Sequence, residues 1–435
     1  MILDELSNLT RFLGGSYATT VHLFPTALYN DRPVGFAFAR LLYDLFGLDY
    51  TKQVACQLVI HFANCVLGFA LFRRLGVSVA LSLAAIGLYG SFSTTVLTAT
   101  YIGAVFDVLC LFFLLGSTLS ILSDRRGSAT LSALLFLAAL RSKEFAIVTP
   151  ALLTVLVALR LPRLSLVCQR LWIHYLILIV FGIAYLRLLP GYLASSASSS
   201  PYHMDFRIGT ILQSLGYYTS QILGLRSDLP AWPLAGLFVA IFVWAVVRRR
   251  GGIAFGIAGF VLTLLPVLVL PNSRQPYWLY APQLFFLLAV CLVLEALLIR
   301  FLQRDRLPWA VAICIALLCL TAATRFRRSP VLWHLSVRKA CMRTVTDARS
   351  QLADLGPGTH IYVNSGRQTP WLFVPGPCDY FKLVNRQRSI FCVIDKPAEQ
   401  LQALYKGDTG PKYLVDYRED GSIATTPRLT TTQSW

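Results

Sequence analysis

Charged side chains are scarce in this sequence, so those in or beside its apolar stretches are the first places to look for chemistry. Asp4 and Glu5 stand together near the start of the chain. Two adjacent carboxylates can supply a general base or hold a divalent cation or a cationic group; without context they are also ordinary solvated charges. Asp107, in YIGAVFDVLCLFF, lies just inside an apolar run. A carboxylate there is costly, and either bonds to a neighbouring helix or belongs to a site. Lys143 and Glu144 sit between two short apolar runs, where they either pair with each other or present a phosphate-binding ammonium positioned by its acidic neighbour. Arg32 before Pro33 and Arg274 before Pro276 suit either a clamp on a lipid phosphate or a headgroup anchor. His61, on one helical face with Asn64, reads as an interhelical hydrogen-bonding residue rather than a metal ligand.

The elements that must position these residues are helices in a membrane. The 435 residues are 56% hydrophobic and 14% charged, with a mean hydropathy of +0.61, well outside soluble-domain composition. The formal charge of +18 would suggest nucleic acid in a soluble protein, but here Arg gathers at the ends of apolar runs, so nucleic acid is set aside. Of ten Cys, six lie inside apolar runs, and there is no paired CxxC spacing of a zinc site. Cys378 and Cys392 lie together in the polar tail, where a disulfide is possible if that tail is exported. No signal peptide is visible in MILDELSNLTRFLGG.

Runs long enough to cross a bilayer fall near 54–72, 77–98, 102–122, 172–190, 232–247, 253–270, 279–299 and 308–323. Two shorter runs, 129–140 and 145–159, are either thin helices or a re-entrant hairpin. The predicted fold class is therefore an all-α polytopic membrane bundle of about ten helices with a small C-terminal α/β domain. Its divisions are an outer loop with an interfacial helix over 1–53, the bundle over 54–324 and the tail over 325–435. Arg73, Arg74, Arg125, Arg126, Arg160, Arg163, Arg170, Arg248 to Arg250, Arg300, Arg304 and Arg306 mark one set of alternate loops as cytoplasmic. The acidic pair, the 193–231 loop and the tail then lie outside, against the local vote of Arg325, Arg327 and Arg328. Stripes in 34–46 and 207–223 suggest helices lying in the interface or packing on neighbouring spans. In the tail, an amphipathic stretch over 335–355 precedes β-like runs at 360–363, 389–394 and 412–417.

The order of these features resembles the GT-C superfamily of membrane glycosyltransferases, particularly protein O-mannosyltransferase-like proteins and their bacterial relatives. The matching residues are Asp4-Glu5, Arg32-Pro33, Phe46-Gly47-Leu48, His61 with Asn64, Arg73-Arg74, the span with Asp107, the Ser-Lys-Glu junction at 142–144, and YWLYAP at 277–282 with Tyr280. Each is weak alone; the resemblance lies in their order over roughly residues 2–325. Tyr277 departs from the family's Arg, for which Arg274 would have to substitute. The family places one helix before its acidic pair, so the resemblance implies a set one helix short here.

The resemblance also implies transfer of a sugar from a polyprenyl-phosphate donor to an acceptor hydroxyl on a protein, lipid or glycan, at the outer face of a bacterial inner membrane. Asp4 and Glu5 would be catalytic, and Arg32, Asp107, Lys143, Glu144, Arg274 and Tyr280 would bind substrate or phosphate. No cofactor is called for, although the acidic pair could bind a divalent cation. The alternatives are a non-enzymatic transporter of lipid-linked glycans, a membrane assembly scaffold, or an inactive truncated family member. The transporter reading lacks paired, broken helices in matching halves.

Overall fold

The computed structural model describes residues 31–158, 164–195, 202–225, 228–301, 330–364, 379–387, 389–395, 410–418 and 422–428, with single positions 10, 13, 17, 200 and 420 and the segment 22–27. Asp4, Glu5, Cys378, the expected 308–323 span and Arg325 to Arg328 lie outside the described residues.

The helices are α1 (Pro33–Phe46), α2 (Tyr50–Arg74), α3 (Val79–Ser91), α4 (Ser93–Thr100), α5 (Val105–Ile121), α6 (Ser128–Ser142), α7 (Thr149–Ala158), α8 (Leu164–Ser195), α9 (Ile208–Leu223), α10 (Ala231–Val247), α11 (Gly251–Leu268) and α12 (Tyr280–Phe301), with α13 (Pro330–Gln351) opening the tail. Short 3-10 turns at Ile102–Ala104, Glu144–Val148 and Pro276–Leu279 lead into α5, α7 and α12. The expected 77–98 span is two helices bent by 58°, because Phe92 is extended (φ −68°, ψ 139°) and interrupts the ladder.

About ten crossings were expected. Among the described residues five helices have the length and hydropathy of a span, or six with the bent pair. Ser128–Ser142, Glu144–Ala158 and Ala231–Val247 are apolar but shorter. At 1.5 Å per residue the 17 residues of α10 reach about 26 Å, short of a hydrocarbon core of about 30 Å. Burial separates inner from outer helices. The 102–121 span is 67% buried, whereas the 167–192 span is only 22% buried and leaves Trp172, Leu176, Ile179, Ile183 and Leu186 exposed. Exposed apolar side chains along a span are what lipid solvates.

Helices α11 and α12 approach closely through glycine. A Cβ on Gly256 would lie 2.8 Å from the Ala289 nitrogen, one on Gly259 would lie 2.5 Å from the Phe285 ring, and one on Gly252 would lie 2.8 Å from Leu292. Small residues at this spacing let two backbones pack without a hydrophobic drive, which lipid does not supply. Polar bonds tie the remaining helices. Tyr280 shares its hydroxyl with His61 Nδ1 (2.8 Å) and accepts from Asn64 (3.1 Å), and Asn64 also donates to the Val108 carbonyl (2.9 Å). Thr94 donates to Gln283 (2.8 Å), and Gln57 donates to the Thr98 and Tyr101 carbonyls.

The tail carries a four-stranded sheet of β1 (His360–Asn364), β2 (Phe391–Ile394), β3 (Lys412–Tyr417) and β4 (Ile423–Arg428), in the order β2-β1-β3-β4. β1 is parallel to both neighbours, and β4 is antiparallel to β3. A short helix, α14 (Asp379–Asn385), precedes β2. Cys341, Val345 and Ala348, on one face of α13, and Leu352 just after it cover Ile361, Val363 and Val415. That core is continuous with Phe36, Ala39 and Tyr43 of α1 and with Val105, Phe106 and Leu109 of α5. Tyr43 donates to the Leu383 carbonyl (3.2 Å), and Met342 packs on Tyr50, Val54 and Ile102. The tail is thus docked on one end of the bundle. Cys392 is disulfide-bonded.

Replacing Gly256 with Leu should drive α11 from α12 and cost about 1–3 kcal/mol by overpacking. It is expected to lower the thermal unfolding midpoint in detergent, while Gly182→Leu, whose Cβ would meet nothing within 4 Å, leaves it unchanged. Equal midpoints for the two variants would refute the close-contact account.

Candidate functional site

The site residues converge where α6 ends and the 144–148 turn begins. Lys143 is extended (φ −156°, ψ 134°) between two helical segments. Successive side chains of an extended backbone point in opposite directions, so Lys143 and Glu144 cannot share a partner on one side. The local Lys143–Glu144 pair weighed above is not what forms. Lys143 Nζ donates instead to Asp107 at the start of α5, and Glu144 takes a two-pronged contact from Arg32, Nε to Oε2 at 2.8 Å and Nη2 to Oε1 at 2.6 Å. Both carboxylates stand in the first turn of a helical segment, where exposed N–H groups favour negative charge.

All four side chains are close to dry: 12% and 10% exposed for Arg32 and Glu144, and 3% and 10% for Lys143 and Asp107. Aromatic faces complete the cage. Arg32 lies 5.1 Å from the centre of the Phe106 ring, and Lys143 lies 4.3 Å from Phe145 and 6.0 Å from Tyr277. Gly35 allows this arrangement, since a Cβ there would sit 2.2 Å from the Phe106 ring. Burial opposes the charge on Arg32, but the Glu144 carboxylate, helped by Asp107, outweighs it and holds the guanidinium above the ordinary arginine range.

Arg274 differs. It forms no ion pair among the described residues, its guanidinium lies 5.7 Å from the centre of the Tyr217 ring, and its Nε is buried without a hydrogen-bond partner. Its backbone carbonyl accepts from the Tyr217 hydroxyl (3.2 Å). Tyr277, three residues on in the chain, has its ring 6.0 Å from Lys143. Tyr280 is placed otherwise. It is 1% exposed and its hydroxyl is committed to His61 and Asn64, so it holds helices together and is not brought into the cage. Asp4 and Glu5 lie outside the described residues. Among the described residues no group of three or more His, Cys, Asp or Glu could hold a metal ion.

Asp31 and Arg141 escaped the sequence reading. Asp31 accepts from His22 and from the Thr26 N–H (2.6 Å) and meets Arg141 at 3.5 Å. The signal was available: Asp31 adjoins Arg32, and Arg141 opens the Arg-Ser-Lys-Glu run.

Removing one partner of a buried ion pair leaves an uncompensated charge and costs about 3–5 kcal/mol. Arg32→Gln is therefore expected to lower the unfolding midpoint sharply, and Arg32→Gln with Glu144→Gln to lose less than the two single losses added. Additive losses in that double-mutant cycle would show that the two side chains are not coupled.

No protein-family model and no curated protein matches the chain in sequence. The crystal structure of ArnT from Cupriavidus metallidurans bound to undecaprenyl phosphate is similar to it, with a TM-score of 0.51 and 14% identity over 96% of this chain and 88% of that one. At that identity the likeness speaks to fold alone. The chain is an integral, multi-pass membrane protein whose helical bundle and small C-terminal sheet domain share the fold of that structure.

Proposed function

We propose that the protein is a membrane glycosyltransferase of the hexosyl or pentosyl class, which moves a sugar from a polyprenyl-phosphate donor to an acceptor hydroxyl at the outer face of a bacterial inner membrane. The observation that carries this reading is the cage of Arg32, Glu144, Lys143 and Asp107, together with Arg274, a half-buried cation with no carboxylate partner among the described residues. A cation held on an aromatic face with an open N–H suits a phosphate that arrives from the membrane. ArnT, whose fold is similar, was crystallised with undecaprenyl phosphate. The orientation rests on the Arg-rich alternate loops and is supported by the disulfide at Cys392, since disulfides persist in oxidising compartments.

In the mechanism we infer, Lys143 and Arg274 hold the donor phosphate, Asp107 fixes Lys143, and the Arg32–Glu144 pair fixes the junction that carries it. Asp4 acts as general base, assisted by Glu5. It takes the acceptor hydroxyl proton as that oxygen attacks C1 of the sugar, the bond from C1 to the phosphate oxygen breaks, and polyprenyl phosphate leaves with inversion at C1. Should the acidic pair hold a divalent cation, it would add positive charge near the leaving phosphate. The acceptor is a hydroxyl of a protein, lipid or glycan.

The test is transfer from a panel of polyprenyl-phosphate sugars by the full chain in proteoliposomes. Asp4→Asn is expected to reduce turnover by about a hundredfold or more. Arg274→Gln is expected chiefly to raise the donor KM. Unchanged turnover in Asp4→Asn removes Asp4 as the base, and donor crossing the bilayer intact with no transfer overturns the enzyme reading in favour of a transporter.

A further inference from the structure

Arg141, two residues before Lys143, faces the other side of the same junction. It is 3% exposed, and its guanidinium lies 5.6 Å from the centre of the Phe181 ring on α8. A guanidinium has five N–H donors. Only Nη2 is used, at 3.2 Å to the His22 carbonyl and at 3.5 Å to Asp31, while Nε and Nη1 are buried without a partner. Asp31 offers weak compensation, because its oxygens are closer to His22 and to the Thr26 N–H. One turn beyond Phe181, the buried Tyr185 hydroxyl stands next to the Arg141 guanidinium, close enough for its oxygen to receive one N–H, while its own O–H has no acceptor within hydrogen-bond distance; Asp31 and Glu144 are its other charged neighbours.

Guanidinium N–H groups and a phenolic O–H thus meet at one place, and among the described residues the Tyr185 oxygen is the one acceptor beside them, too few for the donors present. Buried donors are normally paired, so a group rich in acceptor oxygens is called for. Four donors converging from two side chains, on a cation offset only by Asp31 at 3.5 Å, suit an oxyanion, and the tetrahedral oxygens of a phosphate can meet donors from both sides. Access is from the end of the bundle where His22 is one-third exposed and Phe24, stacked on Phe181 at 6.0 Å, is 54% exposed.

We propose that Arg141 and Tyr185 form a phosphate-binding subsite separate from Lys143 and Arg274. It is lined by α8 rather than by α5 and the 276–279 turn, and it exists whether or not the protein transfers sugar. The phosphate is either free or carried on a lipid headgroup, and the two sources are distinguishable.

The experiment uses the full chain in phosphatidylcholine nanodiscs, with binding of inorganic phosphate read by phosphorus NMR line broadening. In a second arm, retention of phosphatidylglycerol is counted by native mass spectrometry. Variants are Arg274→Gln, Tyr185→Phe and Arg141→Lys. Tyr185→Phe keeps the ring and removes one hydrogen bond to a charged ligand, so about a tenfold loss of affinity is expected, with binding preserved in Arg274→Gln. Loss in the first arm identifies a soluble phosphate, and loss in the second a lipid headgroup. Binding abolished by Arg274→Gln and indifferent to Tyr185→Phe and Arg141→Lys, or no binding in either arm, overturns the proposal and leaves water as the occupant. Neither arm measures transfer, so the glycosyltransferase reading stands or falls separately.

Discussion

The contact between Arg32 and Glu144 determines how this end of the molecule is assembled. Two charges withdrawn from water are costly, and their mutual attraction recovers that cost only when the geometry is good. Here the guanidinium meets both carboxylate oxygens, at 2.6 and 2.8 Å, across 112 residues of chain. Such a pair adds little net stability over an apolar replacement, yet it tolerates few alternative arrangements. It fixes the residue before Pro33, and Pro33 starts α1. From there, Gly35 seats α1 on Phe106, and Phe36, Ala39 and Tyr43 form the surface on which the tail docks. The position of the tail is therefore a consequence, several contacts removed, of one ion pair at the α6–α7 junction.

Behind this charged layer the frame is neutral. The His61, Asn64 and Tyr280 bonds join α2 to α12, and Asn64 reaches on to the Val108 carbonyl, one residue after Asp107. Each bond between spans counts for roughly a kcal/mol or less, but they share atoms, so moving one helix strains the others. The glycine contacts of α11 on α12 add a seam that is intolerant of volume. Asp107 is thus carried on a helix held by its neighbours. A carboxylate that orients a lysine needs that rigidity more than it needs strength.

Much of the helical layout can be read from apolar run length, because a span must be long and apolar whatever it packs against. α2, α5, α8, α11 and α12 overlap the runs expected for them. Pairing was not legible in the same way. Lys143 and Glu144 are neighbours in sequence and part company in space because Lys143 is extended, a backbone state that nothing in LRSKEF specifies. Asp31 and Arg141 were passed over because their interest lies in partners 110 residues away. Tyr280 illustrates the converse: its type and surroundings suggested binding, but its burial against His61 and Asn64 could not be seen in a linear pattern. In the tail, Ile423–Arg428 lacks a clear apolar alternation, and its place beside β3 comes from Asp347 and Gln351 of α13, which bond the backbone at Ile423 and Thr425.

The tyrosine at position 277 has a local explanation in charge. Its ring lies 6.0 Å from the Lys143 ammonium, in a layer where Arg32, Lys143 and Arg141 are matched by Glu144, Asp107 and Asp31. An arginine at 277 would bring a fourth cation to within reach of a buried ammonium that is ion-paired to Asp107 and otherwise shares Glu144 with Arg32. A tyrosine supplies the negative face of a ring instead, which favours the charged lysine without adding to the positive total. Three residues before it stands Arg274, where Tyr217 provides the same kind of face and no carboxylate among the described residues forms an ion pair with it. Keeping the two cations apart while leaving Arg274 uncompensated is what an anion arriving from outside the fold would require. It is also an arrangement that packing alone has no reason to produce.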